Sequence, residues 1–128
     1  MEARLILEHE LSEAVIGAAI EVHRRLGPGL LESAYQRCLE YELELRGIPF
    51  TRQVDLPIEC KGVLLDCGYK MDLVIGGKIV VELKAVESLT DLHEAQLLTY
   101  LRLSGIRVSL LINFNSVMLR NGIVRRVL

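Results

Sequence analysis

Ile79-Val80-Val81-Glu82-Leu83-Lys84-Ala85-Val86 is the stretch that decides the fold. Its β-branched and apolar residues read as a buried strand, yet two charged residues interrupt it. Burying a carboxylate or an ammonium without a partner costs several kcal/mol, so Glu82 and Lys84 require a compensating interaction or a ligand. Two apart in a strand, they share a face. The same acidic-x-Lys spacing recurs at Glu59-Cys60-Lys61, but there Pro57 and Gly62 mark a hairpin end where charges are solvated. Context, not spacing, sets Glu82 and Lys84 apart.

The preceding run, Tyr69-Lys70-Met71-Asp72-Leu73-Val74-Ile75, also holds a carboxylate among apolar residues. Alternation puts Lys70, Asp72 and Val74 on one face and Met71, Leu73 and Ile75 on the other. Opposed residues of a hairpin point to the same side of the sheet, so the register decides whether the polar faces coincide. A two-residue Gly76-Gly77 loop pairs Asp72 with Val81 and separates them. A three-residue or glycine-bulged loop aligns Asp72 with Glu82 and Lys84, which is the arrangement expected here. Two like charges about 4 Å apart then repel by roughly 4 kcal/mol at an effective dielectric near 20, more than one lysine comfortably serves. A divalent cation would relieve this. Mg²⁺ and Mn²⁺ prefer hard oxygen ligands and keep water for attack on a phosphodiester, with the lysine positioned to hold that water or stabilise developing charge. An internal salt bridge is the plainer alternative.

Outward from this pair, Leu11–Leu26 has helical periodicity with Ser12 as N-cap, Gly27-Pro28-Gly29 breaks it, and a second helix runs from about Leu30 to Arg46, before Gly47. Strand patterns follow at Phe50–Ile58, at Val63–Cys67 leading into Tyr69–Ile75, and at Ile79–Val86. A helix fits Asp91–Ser104, closed by Gly105. A strand fits Val108–Phe114, and Asn121-Gly122 signals a C-terminal hairpin. The expected fold is α/β (α+β), a mixed central sheet flanked by helices, in the order ααβββαβ plus a hairpin.

With 128 residues, about half apolar, and no repeat or linker, one domain over 1–128 is expected. No apolar run reaches membrane-span length, and Glu2, Arg4, Glu8 and Glu10 interrupt any signal-peptide pattern, so a soluble, cytoplasmic protein is expected. Cys38, Cys60 and Cys67 are odd in number and lack CxxC spacing, which argues against a disulfide framework and a structural zinc site and favours reduced, packing thiols. The net charge of −2 is not that of a protein that binds nucleic acid through bulk electrostatics, so any such contact is local.

An acid in one strand and Glu-x-Lys in the next, flanked by helices, resembles the PD-(D/E)XK nuclease superfamily. Gly29-Leu30-Leu31-Glu32-Ser33-Ala34-Tyr35 is similar to the signature of the GxxExxY family placed in that superfamily, and His93-Glu94-Ala95-Gln96-Leu97-Leu98-Thr99-Tyr100-Leu101 extends the likeness over nearly the whole chain. The resemblance implies Asp72, Glu82 and the Leu83 carbonyl as ligands of Mg²⁺ or Mn²⁺, with Glu32 adding a carboxylate and Lys84 beside the attacking water. Gln96 and Tyr100, four apart on one helix face, resemble the Q-x-x-x-Y motif of the RecB-like branch and would orient the centre or substrate. It further implies nucleic acid as partner, DNA before RNA. Tyr35 is expected to hydrogen-bond a carboxylate, His93 to stay outside the site, and Arg24-Arg25 and Arg125-Arg126 to be solvated charges. The edge near Val127-Leu128 suits a homodimer. A non-catalytic nucleic-acid-binding or assembly module with the same fold is the competing expectation.

Overall fold

The computed structural model describes residues 2–128, with side chains from Glu8 onward. Helix α1 spans Glu2–Leu26 and α2 spans Glu32–Leu45. Helix-spaced Val15, Ala18, Ala19 and Val22 bury one stripe of α1, and Tyr35, Leu39 and Leu43 do the same for α2. The first helix begins well before the expected Leu11, because Leu, Glu and Ala continue it upstream. Ser12 is therefore not a cap. Its buried hydroxyl donates back to the Glu8 carbonyl at 2.8 Å, as mid-helix serines do.

Seven strands follow among the described residues: β1 Phe50–Asp55, β2 Ile58–Cys60, β3 Val63–Leu65, β4 Lys70–Ile75, β5 Ile79–Lys84, β6 Val108–Asn113 and β7 Ile123–Val127. Helix α3, Asp91–Ser104, connects β5 to β6. Five strands form a mixed sheet in the order β1-β4-β5-β6-β7, parallel only between β5 and β6, while β2 and β3 make a separate hairpin. Parallel pairing needs a crossover, and α3 supplies it. Helices α1 and α2 pack with Leu73, Ile75, Ile79, Val81 and Leu83. On the opposite face Val74 and Val80 pack with Tyr100 and Leu101 of α3. Among the described residues no helix is long and apolar enough to cross a membrane.

Three further expectations change. The run Phe50–Ile58 is two strands, because Pro57 lacks the N–H that a continuous ladder would use. The C-terminal hairpin is a 3-10 turn, Leu119–Gly122, followed by the single strand β7, which pairs with β6. Gly122 is there for close approach, since a Cβ would lie 2.2 Å from the Ser116 hydroxyl and 2.7 Å from the Asn113 carbonyl. Cys38 packs half-buried against the core, but Cys60 and Cys67 are exposed rather than packed.

The β4–β5 register has the expected parity. Ile75 pairs with Ile79, Val74 with Val80 and Leu73 with Val81, leaving three residues, Gly76, Gly77 and Lys78, in the loop. Both glycines are left-handed (φ 57° and 70°), and the Lys78 N–H donates to the Ile75 carbonyl at 2.9 Å. Only glycine takes two successive left-handed positions cheaply, and Lys78 is the extra residue that shifts the parity.

Candidate active site

The β4–β5 ladder stops at Leu73 and Val81. One step beyond, Asp72 and Glu82 stand opposite each other, and side chains replace the backbone bonds. The Asp72 N–H donates to Glu82 Oε2 at 2.9 Å, and the Leu83 N–H donates to Asp72 Oδ2 at 2.9 Å. Each carboxylate thus holds a backbone donor of the other strand, which satisfies N–H groups that would otherwise be orphaned. The strands are splayed here and sealed at the turn.

The other side of β4 is also disturbed at this level. Arg52 pairs with Leu73 and Val54 with Met71, but the intervening Gln53 is unpaired and left-handed (φ 48°). A non-glycine residue held there costs of order 1–3 kcal/mol. Met71, which strict alternation puts with Leu73 and Ile75, packs instead with Leu56, Val74 and Val80. Alternation fails at Asp72 because the strand does not run regularly through it.

Helix α2 holds this irregular point. Gln36, 6% exposed, donates through Nε2 to the Asp72 carbonyl at 3.2 Å, and Gln53 Nε2 donates to Gln36 Oε1 at 3.1 Å. One turn earlier, Glu32 sits in the first turn of α2. From α3, Gln96 Nε2 donates to the Tyr100 hydroxyl at 3.2 Å.

The electrostatics tie these groups together. Burial, then the negative charge of Asp72 and a hydrogen bond between the two carboxyl groups, push Glu82 up to about 9; the Asp72 N–H and Lys84 oppose this. Glu32 is raised by partial burial and then by Asp72, against the pull of Lys84. Tyr100 is raised by burial, then by Glu82, Tyr69 and Asp72. So Tyr100 from α3 feels both carboxylates, and Glu32 from α2 feels Asp72. Lys84, half-buried, belongs to none of the ion pairs within 4.0 Å among the described residues.

Among the described residues no group of three or more His, Cys, Asp or Glu side chains is spaced to hold a metal ion. Glu32 lies within electrostatic reach of Asp72 without completing a three-carboxylate cage. The donor set still fits Mg²⁺, which keeps several waters and is held by one or two carboxylates. Within an extended strand the N–H and C=O of one residue face the same edge, so the Leu83 carbonyl faces Asp72 as its N–H does. Asp72, Glu82 and that carbonyl are the hard oxygen donors that would hold the ion.

Other expectations resolve differently. The Tyr35 hydroxyl reaches no carboxylate; it donates to the Gly27 carbonyl at 2.6 Å and accepts from the Leu30 N–H at 3.1 Å, while its ring stacks on Phe114 at 4.7 Å. It ties the α1–α2 loop to the core. His93 stays outside the site, as expected, closing a reciprocal cap with Thr90. Arg24 and Arg25 both bind Glu21, and Arg126 pairs with Glu94. Gln36 and Gln53 were not anticipated, because their partners are a backbone carbonyl and each other. The one available signal was the i, i+4 spacing of Gln36 from Glu32. Asn113, 2% exposed, was also missed. It accepts from the Val86 N–H at 3.0 Å and donates to the Val86 carbonyl at 2.9 Å, fixing the chain just after Lys84.

A family model described as the PD-(D/E)XK nuclease superfamily matches residues 9–127. No curated protein and no solved structure matches the chain.

Proposed function

The chain belongs to the PD-(D/E)XK nuclease superfamily, and from that premise we propose that residues 1–128 form one catalytic domain that hydrolyses phosphodiester bonds of nucleic acid with Mg²⁺ or Mn²⁺. The observation that carries this is the splayed strand end. Two carboxylates are held face to face across β4 and β5 by each other's backbone N–H groups, and burial with mutual repulsion drives Glu82 towards its protonated form. A site that strained in charge is built for a cation.

When bound, the ion would supply Lewis-acid charge at the scissile phosphate and lower the pKa of attacking water. Asp72, Glu82 and the Leu83 carbonyl would hold it. Lys84, on the Glu82 face of β5, would orient the water and stabilise charge that develops on the phosphate oxygens. Gln96 and Tyr100 would position the substrate from α3. Glu32, its carboxyl raised, would accept a proton or a water from the α2 side. Gln36 positions Asp72 rather than touching substrate.

DNA is the proposed substrate, ahead of RNA, and the Gly29–Tyr35 signature with its Glu32 supports placement in the GxxExxY family. The outer edge of β7 is open, and Val127 and Leu128 are exposed beside it, which supports a homodimer paired along that strand. A cytoplasmic location accords with the exposed, unpaired Cys60 and Cys67.

The test is metal-dependent cleavage of single-stranded, double-stranded and structured DNA and RNA, with Asp72→Ala and Lys84→Ala as folded controls. Cleavage is expected to need Mg²⁺ or Mn²⁺ and to fall by at least about 10²-fold in both variants. One observation favours a second reading, a non-catalytic nucleic-acid-binding module: the cross-strand bonds of Asp72 and Glu82 already give each carboxylate a partner. That reading predicts no uptake of Mn²⁺, which calorimetry decides.

A further inference from the structure

A groove of about 590 Å³ runs between α3 and the segment just before β4. It is lined on one side by Tyr69 and on the other by Leu92, Gln96, Thr99, Tyr100 and Leu103. Its walls are mostly apolar, and several of them stand open to water: Tyr69 is 46%, Leu92 77% and Leu103 38% exposed. The phenol rings of Tyr69 and Tyr100 meet edge to face, with centroids 6.3 Å apart. Tyr100 is buried and Tyr69 is not, so the buried ring buttresses the exposed one.

The groove adjoins the carboxylate site through Tyr100. Gln96 and Tyr100 line it, and Tyr100 also lies within the electrostatic reach of Glu82 and Asp72. A protein segment seated here would cover both residues and close the site. A ligand that is itself the substrate would not. At the wall of the groove the Arg102 guanidinium donates to the Thr99 hydroxyl at 3.0 Å, and Lys84 lies on the side of the carboxylates. A polyanion whose flat, apolar faces enter the groove matches these walls, with Arg102 bound to Thr99 of the wall and Lys84 beside the carboxylates as the cations named on either element. The net charge of −2 adds a second constraint, because a weakly acidic chain gains little from the uniform charge of a closed duplex. Stacking of bases on aromatic rings needs no such charge, and only unpaired bases have faces and edges free to stack.

We propose that this groove receives unpaired nucleobases, stacked on Tyr69, so that the substrate is a single strand or a frayed end rather than a closed duplex. The proposal rests on the nuclease reading for what happens next at Asp72 and Glu82, but binding alone tests it.

The experiment measures equilibrium binding of a short single strand carrying 2-aminopurine, as DNA and as RNA, and of the same strand in a blunt duplex, to the full wild-type chain in Ca²⁺ without Mg²⁺ or Mn²⁺. The single strand is expected to bind at least tenfold more tightly than the duplex, with quenching of the 2-aminopurine fluorescence. Tyr69→Ala should weaken single-strand binding about tenfold, the loss of one stacked base. Tyr69→Phe, which keeps the ring, should retain it. Leu92→Asp, at a largely exposed position that folding does not depend on, should weaken it, whereas Tyr41→Ala on the outer face of α2 should not. Equal affinity for strand and duplex, or unchanged binding in both Tyr69→Ala and Leu92→Asp, would overturn the proposal. If the strand binds and quenches but the wild-type chain cleaves nothing in Mg²⁺ or Mn²⁺, the nuclease reading fails and the groove stands. Cleavage that is indifferent to Tyr69 and Leu92 sinks the groove and leaves the nuclease.

Discussion

Glu82-Leu83-Lys84 and Glu59-Cys60-Lys61 have the same spacing and lie in two different hairpins of one chain. In the first, Glu82 is 8% exposed, Leu83 is fully buried, and the strand has a neighbour on each side. In the second, Glu59, Cys60 and Lys61 are exposed in a two-stranded sheet with both edges open. Water solvates the charges of one pair. In the other, burial and the facing Asp72 force the carboxylate towards its neutral form. The difference teaches that the motif is only a spacing until the fold desolvates it.

Catalysis gives the comparison its widest separation. Glu82→Gln and Lys84→Ala are expected to reduce metal-dependent cleavage by about 10²–10³-fold each, the usual loss when a group that stabilises transition-state charge is removed. Glu59→Gln and Lys61→Ala should leave it unchanged. Rates on a labelled oligonucleotide, with circular dichroism as the check on folding, decide this, and an equal loss at Lys61 would break the distinction. The middle residues separate next, in stability. Leu83→Ala should cost about 2–5 kcal/mol in urea unfolding, since it empties a fully buried site. Cys60→Ala should stay within about 0.5 kcal/mol.

Burial is also why one pair could be read from the sequence. A charge inside Ile79–Val86 violates its surroundings, and the Gly76-Gly77 signal then constrained the register, because only an odd loop puts Asp72 and Glu82 on one face. The helices over Glu32–Leu45 and Asp91–Ser104 and the core strands followed from periodicity. What was illegible depends on the backbone or on partners far away. Ser12 reads as a cap unless the helix is known to continue upstream. Gly122 reads as a turn glycine, while its true constraint is the Ser116 and Asn113 atoms it nearly touches. Gln53 is polar in a mixed strand, and nothing in Phe50–Asp55 announces a left-handed residue in mid-strand. Gln36 could not be found without the carbonyl it binds.

The raised carboxyl of Glu82 gives the comparison a pH dependence. Its folded value lies near 9, far above the ordinary 4.5, so folding favours the protonated form. That contribution is complete below about pH 4.5 and is lost as pH rises through 9. The groups that act on it are Asp72 on β4 and Lys84 beside it, and Tyr100 on α3 feels its charge. Glu32 is shifted in the same direction. Chelated protein is therefore expected to melt at lower temperature at pH 8 than at pH 6. Glu82→Gln should flatten the slope and Glu59→Gln should not. Mg²⁺ or Mn²⁺ should raise Tm more at pH 8, where the carboxylates it would bind are more fully ionised. A slope unchanged in Glu82→Gln would remove Glu82 as its source.

The smallest expected effect falls on two residues that share a backbone anomaly. Gln53 and Lys61 are the non-glycine residues with positive φ among those described, at 48° and 51°. Lys61 needs that conformation to turn β2 into β3 beside Gly62, which is also left-handed. Gln53 turns nothing; it stands opposite Asp72 and orients Gln36 by occupying its carbonyl oxygen, which leaves the Gln36 amide nitrogen for the Asp72 carbonyl. Glycine relieves the strain at either place, but its own entropy offsets much of the gain, so each substitution should change stability by less than about 1 kcal/mol. Their effects on cleavage should differ. Lys61→Gly should be neutral, whereas Gln53→Gly should cost about tenfold, as loss of a group supporting a metal ligand does. The loss should appear in the concentration of metal needed for half-maximal rate, and Gln36→Ala should reproduce it without adding to it in the double variant. Additive losses would mean that the two glutamines act separately, and that the strain at Gln53 has another cause.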